Sequence, residues 1–288
     1  MLLSPLSFPP LTPGLIRSTS SLTVDFMLGG GFLGGSIVEI YGEEDVGKTS
    51  IALGTMAQIP DYEHSTLYID LEKTLFAQHA RHFGLNPNAV NVARPDTTEH
   101  TLALLKAAVL SKSFRLIVVD SVPALISSNE MAQSISLDKV KSFSAAFVLL
   151  LKELLIPLAA SNCTLILINQ LRNYPSYTNP DVYFETSPGG LTLKALCTTR
   201  LKLEHRAQFV DPSSLLATVD ANVEVIKHLP NAPTINPTNF RIVYSQGFEN
   251  NLGAKQLAEH YNLTTTGLQE TTEALNLHKG LQLNYSNY

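Results

Sequence analysis

Cysteine is scarce in this chain, which has Cys163 and Cys197 among its 288 residues. Both stand in apolar stretches, and neither has the close cysteine or histidine neighbours that a zinc site needs. The low count also argues against a framework of disulfides. We therefore predict two buried thiols that pack as small apolar side chains in a reducing compartment.

Positive charge is not in excess either, because the net charge is −5 at pH 7. This balance argues against a protein that coats nucleic acid by bulk positive charge. It leaves room for DNA contacts made by one groove or loop. Charged residues make up 16% of the chain and hydrophobic residues 44%, which is typical of a folded globular protein.

Signals for export or membrane insertion are lacking. The first ten residues carry no basic segment and are broken by prolines, so they make a poor signal peptide. The most apolar stretch, residues 147–168, is interrupted by Lys152, Glu153 and Pro157 and by a polar Ser-Asn pair. That pattern favours a core helix followed by a core strand over a membrane span. We expect a cytoplasmic protein with no membrane partner.

The clearest motif is G-x-x-x-x-G-K-T, which runs from Gly42 to Thr49. An apolar run typical of a strand precedes it, and a run compatible with a helix follows it. In that context the glycines let backbone N–H groups surround a phosphate, and the helix N-terminus adds its positive dipole end. Lys48 is expected to reach the β- and γ-phosphates, and Thr49 to ligate Mg²⁺. A glycine-rich turn without a ligand is the alternative. The predicted nucleotide-binding residues of this loop are Gly42, Glu43, Glu44, Asp45, Val46, Gly47, Lys48, Thr49 and Ser50.

The rest of the chain alternates apolar, strand-like runs with helical stretches. This alternation predicts an α/β fold with a mostly parallel central sheet and helices on both faces. The strand-like runs are 37–41, 65–69, 116–120, 164–169 and 198–203, with later ones at 223–227 and 240–244. The helix candidates are 23–28, 49–58, 74–84, 98–112, 138–157 and 254–261.

Ligands of such sheets bind at the carboxyl ends of the strands, so the last residues of each strand carry the chemistry. The run 116–120 ends in Asp120, which suits a Walker B carboxylate that holds Mg²⁺ through water. The alternative is an aspartate that caps the following helix. The P-loop upstream favours the metal role.

Two other strand ends are polar. The run 65–69 leads into Asp70 and Glu72, and a carboxylate there could orient or deprotonate an attacking water. The run 164–169 leads into Gln170, whose amide could bond a γ-phosphate and so distinguish ATP from ADP. A solvated loop acid and an ordinary polar strand end are the respective alternatives.

Residues 171–190 are rich in aromatics, and we predict a long loop without regular structure. Such a loop inside a compact domain is usually functional or disordered. Aromatic side chains on a mobile loop suit stacking on the bases of single-stranded nucleic acid. The alternative is a surface loop packed by its own aromatics. The predicted DNA-binding residues are Arg172, Tyr174, Tyr177, Tyr183, Phe184, Gly189 and Gly190.

With these residues in place, the chain resembles the bacterial RecA family of DNA strand-exchange ATPases over about residues 18–250. Many separate motifs in the right order are more specific than a P-loop alone. The matching segments are Ser18–Asp25, Ile37–Gly42, Tyr68–Glu72, Ile117–Val122, Leu167–Arg172, Pro188–Gly190 with Lys194, and Val225–Lys227 with Asn231–Pro233.

The resemblance implies a RecA-like ATPase core that uses ATP and Mg²⁺. It makes Glu72 the residue that activates water, Asp120 the Walker B acid, and Gln170 the switch that joins ATP to the loop at 171–190. His79 falls where the family stacks an aromatic on adenine.

The resemblance also implies a homo-oligomer, a helical filament on single-stranded DNA with ATP between subunits. Such a filament pairs its strand with double-stranded DNA. Lys194 and Lys227 match residues that approach the ATP of the neighbouring subunit, and Arg200 matches a basic residue of the interface.

Several segments depart from the family pattern. Leu229 stands where the family has a second lysine that reaches across the interface, so one cation at the γ-phosphate is gone. The first DNA loop, near residues 133–140, lacks the usual glycines. A short segment at 1–17, either an arm for oligomerisation or a disordered tail, precedes the core at 18–250. A reduced C-terminal region at 251–288 follows. This trimming suits a compact relative from a phage or mobile element.

Three functions compete at this point. The first is an ATP-dependent recombinase that forms filaments and exchanges strands. The second is an accessory paralogue that binds ATP and partner proteins or DNA without strand exchange, which Leu229 and the trimmed ends favour. The third is a P-loop helicase or signalling ATPase that does not contact DNA through the loop. The set of hydrolysis groups, Lys48, Thr49, Glu72 and Gln170 among them, favours the first.

Overall fold

The computed structural model describes residues 16–127, 137–175, 183–210, 216–228, 238–251, 253 and 255, with backbone alone at 126–127, 137–144, 173–175 and 183–184. The strands are β1 Ile16–Arg17, β2 Phe32–Leu33, β3 Ile37–Gly42, β4 Thr66–Asp70, β5 Val92–Ala93, β6 Leu116–Asp120, β7 Thr164–Gln170, β8 Arg172–Pro175, β9 Tyr183–Thr186, β10 Thr199–Val210, β11 Ala217–His228, β12 Thr238–Val243 and β13 Gly247–Phe248. The helices are α1 Leu22–Met27, α2 Lys48–Ala57, α3 Tyr62–Ser65, α4 Ala77–His82, α5 Thr98–Leu110, α6 Val122–Ser127, α7 Leu137–Ser161 and α8 Gly190–Leu196.

Nine strands form the central sheet in the order β13-β12-β11-β10-β3-β7-β6-β4-β5. The strands from β10 to β5 pair in parallel. Those from β10 to β13 pair antiparallel and extend the sheet on one side. The predicted α/β fold with a mostly parallel sheet is therefore confirmed. The carboxyl ends of β3, β4, β6 and β7 meet at one edge, where a P-loop ligand is expected.

Apolar side chains cover both faces of the sheet. In β6, Val118 belongs to the cluster that packs against α2, and Ile117 belongs to the cluster that packs against α5 and α7. Strands buried on both faces read as continuous apolar runs, because neither face meets water. This is why the bounds of β3, β6 and β7 agree with the sequence prediction to within one residue.

Several element bounds differ from the sequence prediction, and helices α7 and α4 are two examples. Helix α7 continues through Pro157 to Ser161. The proline removes one backbone donor, but the buried stripe continues on both sides of it. The stripe consists of Leu150, Leu151, Leu154 and Leu158. Helix α4 begins at residue 77 instead of 74, because the N–H groups of Thr74 and Leu75 donate to the Asp70 carboxylate.

Strands β10 and β11 are about twice as long as the apolar runs that predicted them. They pair with each other along their whole length. Their outer part carries exposed side chains, including His205 and Arg206. A strand that is half exposed tolerates polar residues, so the apolar-run criterion ended too early.

The Ser18–Asp25 motif has a structural role next to α1. Asp25 is buried and accepts hydrogen bonds from Ser18 Oγ at 2.5 Å and from Thr19 N at 2.6 Å. Burial raises the pKa of the Asp25 carboxyl to about 7, although the hydrogen bonds from Ser18 and Thr19 act to lower it. The motif thereby fixes the chain that leads into the core.

Both cysteines are free and buried, as predicted. No helix among the described residues is long and apolar enough to cross a membrane. The division into an arm, a core and a C-terminal region stays a prediction. The arm up to residue 15, Leu229, residues 231–233, residues 133–136 of the first DNA loop and most of the helix predicted at 254–261 lie outside the described residues.

Candidate functional site

The P-loop connects β3 to α2 at the sheet edge where the parallel strands end. At Gly42 a Cβ atom would lie 2.0 Å from the carbonyl oxygen of Leu203 on β10, so a side chain has no room there. Gly47 is the N-cap of α2 and has a φ of 92°, which is left-handed and favours glycine. Close approach of the backbone thus requires glycine at position 42, and at position 47 the left-handed backbone is joined by a Cβ contact of 2.3 Å with Ile242 Cδ1.

Lys48 folds back over the loop it follows. Its Nζ donates to the carbonyl oxygen of Gly42 at 3.3 Å and to that of Glu43. Burial lowers the pKa of this ammonium, while the charges of Asp120 and Glu72 oppose that shift. A phosphate at the loop would offer the ammonium anionic oxygens in place of these two carbonyls.

The loop is also anchored to β10. The Glu43 carboxylate accepts a hydrogen bond at 2.9 Å from the backbone N–H of His205. Glu43, Glu44 and Asp45 are exposed, whereas Val46 and Ser50 are buried. The acidic side chains of the loop are thus exposed, Glu43 bonds to β10, and the buried residues fix the loop to the core.

Thr49 and Asp120 come together at the start of α2. The Thr49 hydroxyl donates to Asp120 Oδ2 at 2.9 Å. Burial raises the pKa of the Asp120 carboxyl, and hydrogen bonds from Tyr68 and Thr49 oppose that shift. A hydroxyl and a carboxylate beside a phosphate loop are donors of the type that Mg²⁺ takes, since this ion prefers oxygen ligands and keeps several waters. These residues fit the ion.

The two acids after β4 have different surroundings. Asp70 is buried and accepts from Arg94 Nε at 2.9 Å, as well as from two backbone N–H groups. Glu72 is exposed, and its Oε1 accepts from the Ser121 hydroxyl and from Gln170 Nε2, the latter at 3.3 Å. Asp70 braces the segment, which leaves Glu72 as the acid that is free to contact a ligand.

A cavity of about 480 Å³ lies beside the P-loop and α2. His79 is at its wall, with Nε2 3.3 Å from Ser50 Oγ, and burial lowers the pKa of its imidazole. Phe83 packs against His79 with ring centroids 5.8 Å apart. A site lined by rings and aliphatic groups next to a phosphate loop suits a planar base.

Residues on or next to the far strands also line this cavity, namely Val219, Ile242 and Tyr244. The sequence prediction missed them. They lie about 170 or more residues from the P-loop along the chain, and apolar residues in a strand look alike whether they line a pocket or a core.

The prediction of a loop without regular structure at residues 171–190 is wrong in part, because β8 and β9 pair antiparallel within it. Their register places Tyr174 opposite Phe184 and Pro175 opposite Tyr183. A search for apolar runs does not detect this strand pair, because its residues are polar and aromatic. Arg172 is exposed at the start of β8. Tyr177 lies outside the described residues.

Helix α8 follows directly. Gly189 is its N-cap with a φ of 107°, and Gly190 is its first residue with a φ of 68°. Lys194 on α8 donates to the Thr186 hydroxyl, and Lys227 on β11 donates to the carbonyl of Ala195 at 2.8 Å. The two lysines therefore lie together at the base of the β8–β9 segment, and their approach to a neighbouring subunit stays a prediction.

A buried polar cluster lies beneath this base, and the sequence prediction did not anticipate it. We call Glu39, Asn169 and Arg200 the Glu39 cluster. Arg200 Nε donates to Glu39 Oε2 at 2.6 Å, and Asn169 Nδ2 donates to Glu39 Oε1 at 2.9 Å. Asn169 Nδ2 also donates to the carbonyl of Pro188 at 2.9 Å. Arg200 is 8% exposed and lies over the Tyr41 ring at 4.7 Å, so it is packed inside this chain.

Glu39 stands alone among apolar residues in Ile-Val-Glu-Ile, which is the one sequence signal for the cluster. A charged residue at a position buried on both faces requires a partner. Pairing it with Arg200, 161 residues away, requires the structure.

Comparison with known proteins gives a consistent result. Residues 15–249 match the family described as RecA N-terminal domain. The Protein RecA of Acholeplasma laidlawii is 31% identical over 248 residues, which are 85% of this chain and 73% of the relative. The Protein RecA of Mycoplasma mobile is 33% identical over 254 residues, 87% of this chain and 75% of the relative. The Protein RecA of Clostridium perfringens is 31% identical over 256 residues, which are 88% of this chain and 68% of the relative.

The family match covers most of the chain, and the matched residues include the P-loop, Glu72, Asp120, Gln170 and the base of the β8–β9 segment. The chain therefore belongs to the RecA family of DNA strand-exchange ATPases, as its sequence motifs predicted.

Proposed function

We propose that this chain is an ATP-dependent DNA recombinase that forms helical filaments on single-stranded DNA and pairs that strand with homologous double-stranded DNA. One observation carries the proposal furthest. The Glu72 carboxylate contacts both Ser121, next to Asp120, and Gln170, just before β8. The carboxylate expected to activate water is thus hydrogen-bonded to Gln170, which leads into the segment expected to contact DNA. The protein would act on DNA in the cytoplasm.

The nucleotide half uses the P-loop. Its backbone N–H groups and Lys48 bind the β- and γ-phosphates, and His79 packs against the base in the adjoining cavity. Thr49 and Asp120 would hold Mg²⁺. When bound, Mg²⁺ supplies positive charge that offsets the negative charge developing on the phosphates.

Hydrolysis requires a carboxylate within reach of the attacking water. Glu72 is exposed beside Asp120, and its Oε1 is held by Ser121 and Gln170. It would orient the water and accept its proton. The Gln170 amide donates to Glu72 at 3.3 Å, and a γ-phosphate would offer it a second ionised acceptor. Exchange between these two acceptors would move the strand that leads into β8.

The DNA half uses the segment from Arg172 to Gly190. Its base is fixed because Asn169 bonds to Pro188 and Arg200 bonds to Glu39. Aromatic side chains on β8 and β9 would stack on bases, with Arg172 contacting the phosphate backbone. Lys194 and Lys227 would approach ATP bound by the neighbouring subunit of the filament.

The decisive test is steady-state ATP hydrolysis with and without single-stranded DNA, with Lys48→Ala as the control. We expect hydrolysis to be strongly stimulated by DNA and to be absent in the Lys48→Ala chain. Normal turnover by Lys48→Ala would contradict the P-loop assignment. ATP binding by the wild-type chain without DNA-stimulated turnover would favour the accessory paralogue over the recombinase.

A further inference from the structure

Tyr68 places a phenol hydroxyl inside the core next to Asp120. The side chain is fully buried on β4, and its hydroxyl donates to Asp120 Oδ2 at 2.5 Å. The same oxygen accepts from Thr49 Oγ1 at 2.9 Å. We call Thr49, Tyr68 and Asp120 the Asp120 cluster. Two hydroxyls, one from the P-loop helix and one from the neighbouring strand, thus hold a single carboxylate oxygen.

The sheet geometry explains why Tyr68 reaches this position. Strands β4 and β6 are parallel neighbours, with Tyr68 opposite Val118 and Asp70 opposite Asp120. Tyr68 and Val118 belong to the same apolar cluster, on the face covered by α2. A tyrosine is long enough to extend from its own position to the level of Asp120, two residues further along the sheet.

The hydroxyl, not the ring, is the informative part of this side chain. The ring packs in the apolar cluster, and a phenylalanine would fill nearly the same volume. A buried hydroxyl costs free energy unless it forms a hydrogen bond. A hydrogen bond from a hydroxyl to a carboxylate is short and strong. The hydroxyl therefore acts on Asp120 and contributes nothing to apolar packing.

We propose that Tyr68 is a positioning residue that fixes the Asp120 carboxylate for Mg²⁺ and so sets the Mg²⁺ dependence of nucleotide binding. With Oδ2 held by Tyr68 and Thr49, the carboxylate has one orientation before any ligand arrives. Partners that orient a metal-binding carboxylate typically change metal affinity by about 10–100-fold when they are removed. This inference rests on the proposed nucleotide site.

The test is to measure ADP binding to the full chain and to Tyr68→Phe by calorimetry over a series of Mg²⁺ concentrations and in EDTA. We expect Tyr68→Phe to bind ADP in EDTA as the wild type does. Mg²⁺ should increase the ADP affinity of both chains, and the Mg²⁺ concentration that gives half of this increase should be about tenfold higher for Tyr68→Phe. The control is Tyr62→Phe, which removes a tyrosine hydroxyl that accepts a hydrogen bond from Asn86 N at 2.9 Å, outside the Asp120 cluster.

The outcomes separate the two proposals. An unchanged Mg²⁺ dependence in Tyr68→Phe, with ADP binding intact, overturns the role of Tyr68 and leaves the nucleotide site standing. An equal loss of affinity in EDTA and in Mg²⁺ shows a structural effect and also overturns it. Failure of the wild-type chain to bind ADP at all overturns the nucleotide site, and this inference with it. Thermal unfolding with and without Mg²⁺ and ADP gives a second readout that tolerates a less stable variant.

Discussion

The Asp120 cluster and the Glu39 cluster are two buried polar groups in one sheet, and they differ in charge balance. Glu39 is neutralised within the chain, because Arg200 lies at 2.6 Å. Asp120 receives its hydrogen bonds from the neutral hydroxyls of Thr49 and Tyr68. A buried charge is costly unless it is paired. The balanced cluster therefore holds the fold at the base of the β8–β9 segment. Asp120 interacts electrostatically with Lys48 but is in ion-pair contact with no described cation, so it is suited to take a cation from outside.

Glu72 contacts the chain neighbour of one member of each cluster, Ser121 beside Asp120 and Gln170 beside Asn169, and its removal should have the largest effect. Glu72→Gln keeps the size and the hydrogen-bonding capacity of the side chain but cannot accept a proton. We expect ATP binding to persist and hydrolysis to fall by about 10²–10⁴-fold, which is the usual contribution of a general base. Filaments should then stay on DNA, which the dissociation rate from labelled single-stranded DNA measures.

The control is Glu99→Gln, which changes an exposed acid in the first turn of α5 and should leave hydrolysis unchanged. A Glu72→Gln chain that leaves DNA as fast as the wild type would show that hydrolysis through Glu72 is not coupled to release.

Arg200→Met breaks the balanced cluster and leaves Glu39 buried without its cation. Removing one partner of a buried ion pair typically costs about 3–5 kcal/mol of unfolding free energy. Chemical denaturation measures this loss. The control is Lys202→Met in the same strand, because the ion pair of Lys202 with Glu204 is more exposed and is expected to contribute about 1 kcal/mol or less. Equal losses in the two variants would show that Glu39 does not depend on Arg200.

The double variant Tyr183→Ala, Phe184→Ala tests DNA binding by the β8–β9 segment, whose base the Glu39 cluster fixes. We expect single-stranded DNA binding to weaken by about 1–3 kcal/mol for each stacked base that is lost. Fluorescence anisotropy with a labelled oligonucleotide measures the change, and ADP affinity serves as the control for an intact nucleotide side. DNA affinity equal to that of the wild type would favour a segment packed by its own aromatics.

Of these variants, Asp120→Asn should change the unfolding free energy least. Its effect should be stabilising, whereas that of Arg200→Met is destabilising. Burial raises the pKa of Asp120, so its charged form destabilises the fold. A carboxyl with a raised folded pKa stabilises at low pH and loses that contribution as the pH rises above its unfolded value, ordinarily 3.8. We expect the unfolding free energy of Asp120→Asn at pH 7 to exceed that of the wild type and its pH dependence to flatten.

Thermal melts of Asp120→Asn between pH 4 and 8 test this, with the exposed Asp96→Asn as the control. The response of ADP binding to Mg²⁺ should be lost in the same variant. A large loss of stability in Asp120→Asn would mean that both clusters are structural and that charge balance does not distinguish them.

The sequence predicted what depends on local pattern and missed what depends on long-range pairing. The P-loop, β6 with Asp120, and Gln170 at the end of β7 follow from apolar runs buried on both faces and from a compact motif. The β8–β9 pair was missed because its residues are polar and aromatic without an apolar run. The hydroxyl of Tyr68 on Asp120 joins residues 52 apart, and no local signal distinguishes this tyrosine from a core aromatic.

The two buried cysteines make this chain simple to label. Cys163 and Cys197 are fully buried, and burial raises the pKa of each thiol to about 12. Burial shields both thiols from reagents and disfavours the thiolate, which is the form that reacts with maleimides. A dye can therefore be attached to one introduced thiol without first removing the native ones. Leu191 on α8 is 84% exposed, so Leu191→Cys would carry a fluorophore at the base of the β8–β9 segment while the native thiols stay unmodified.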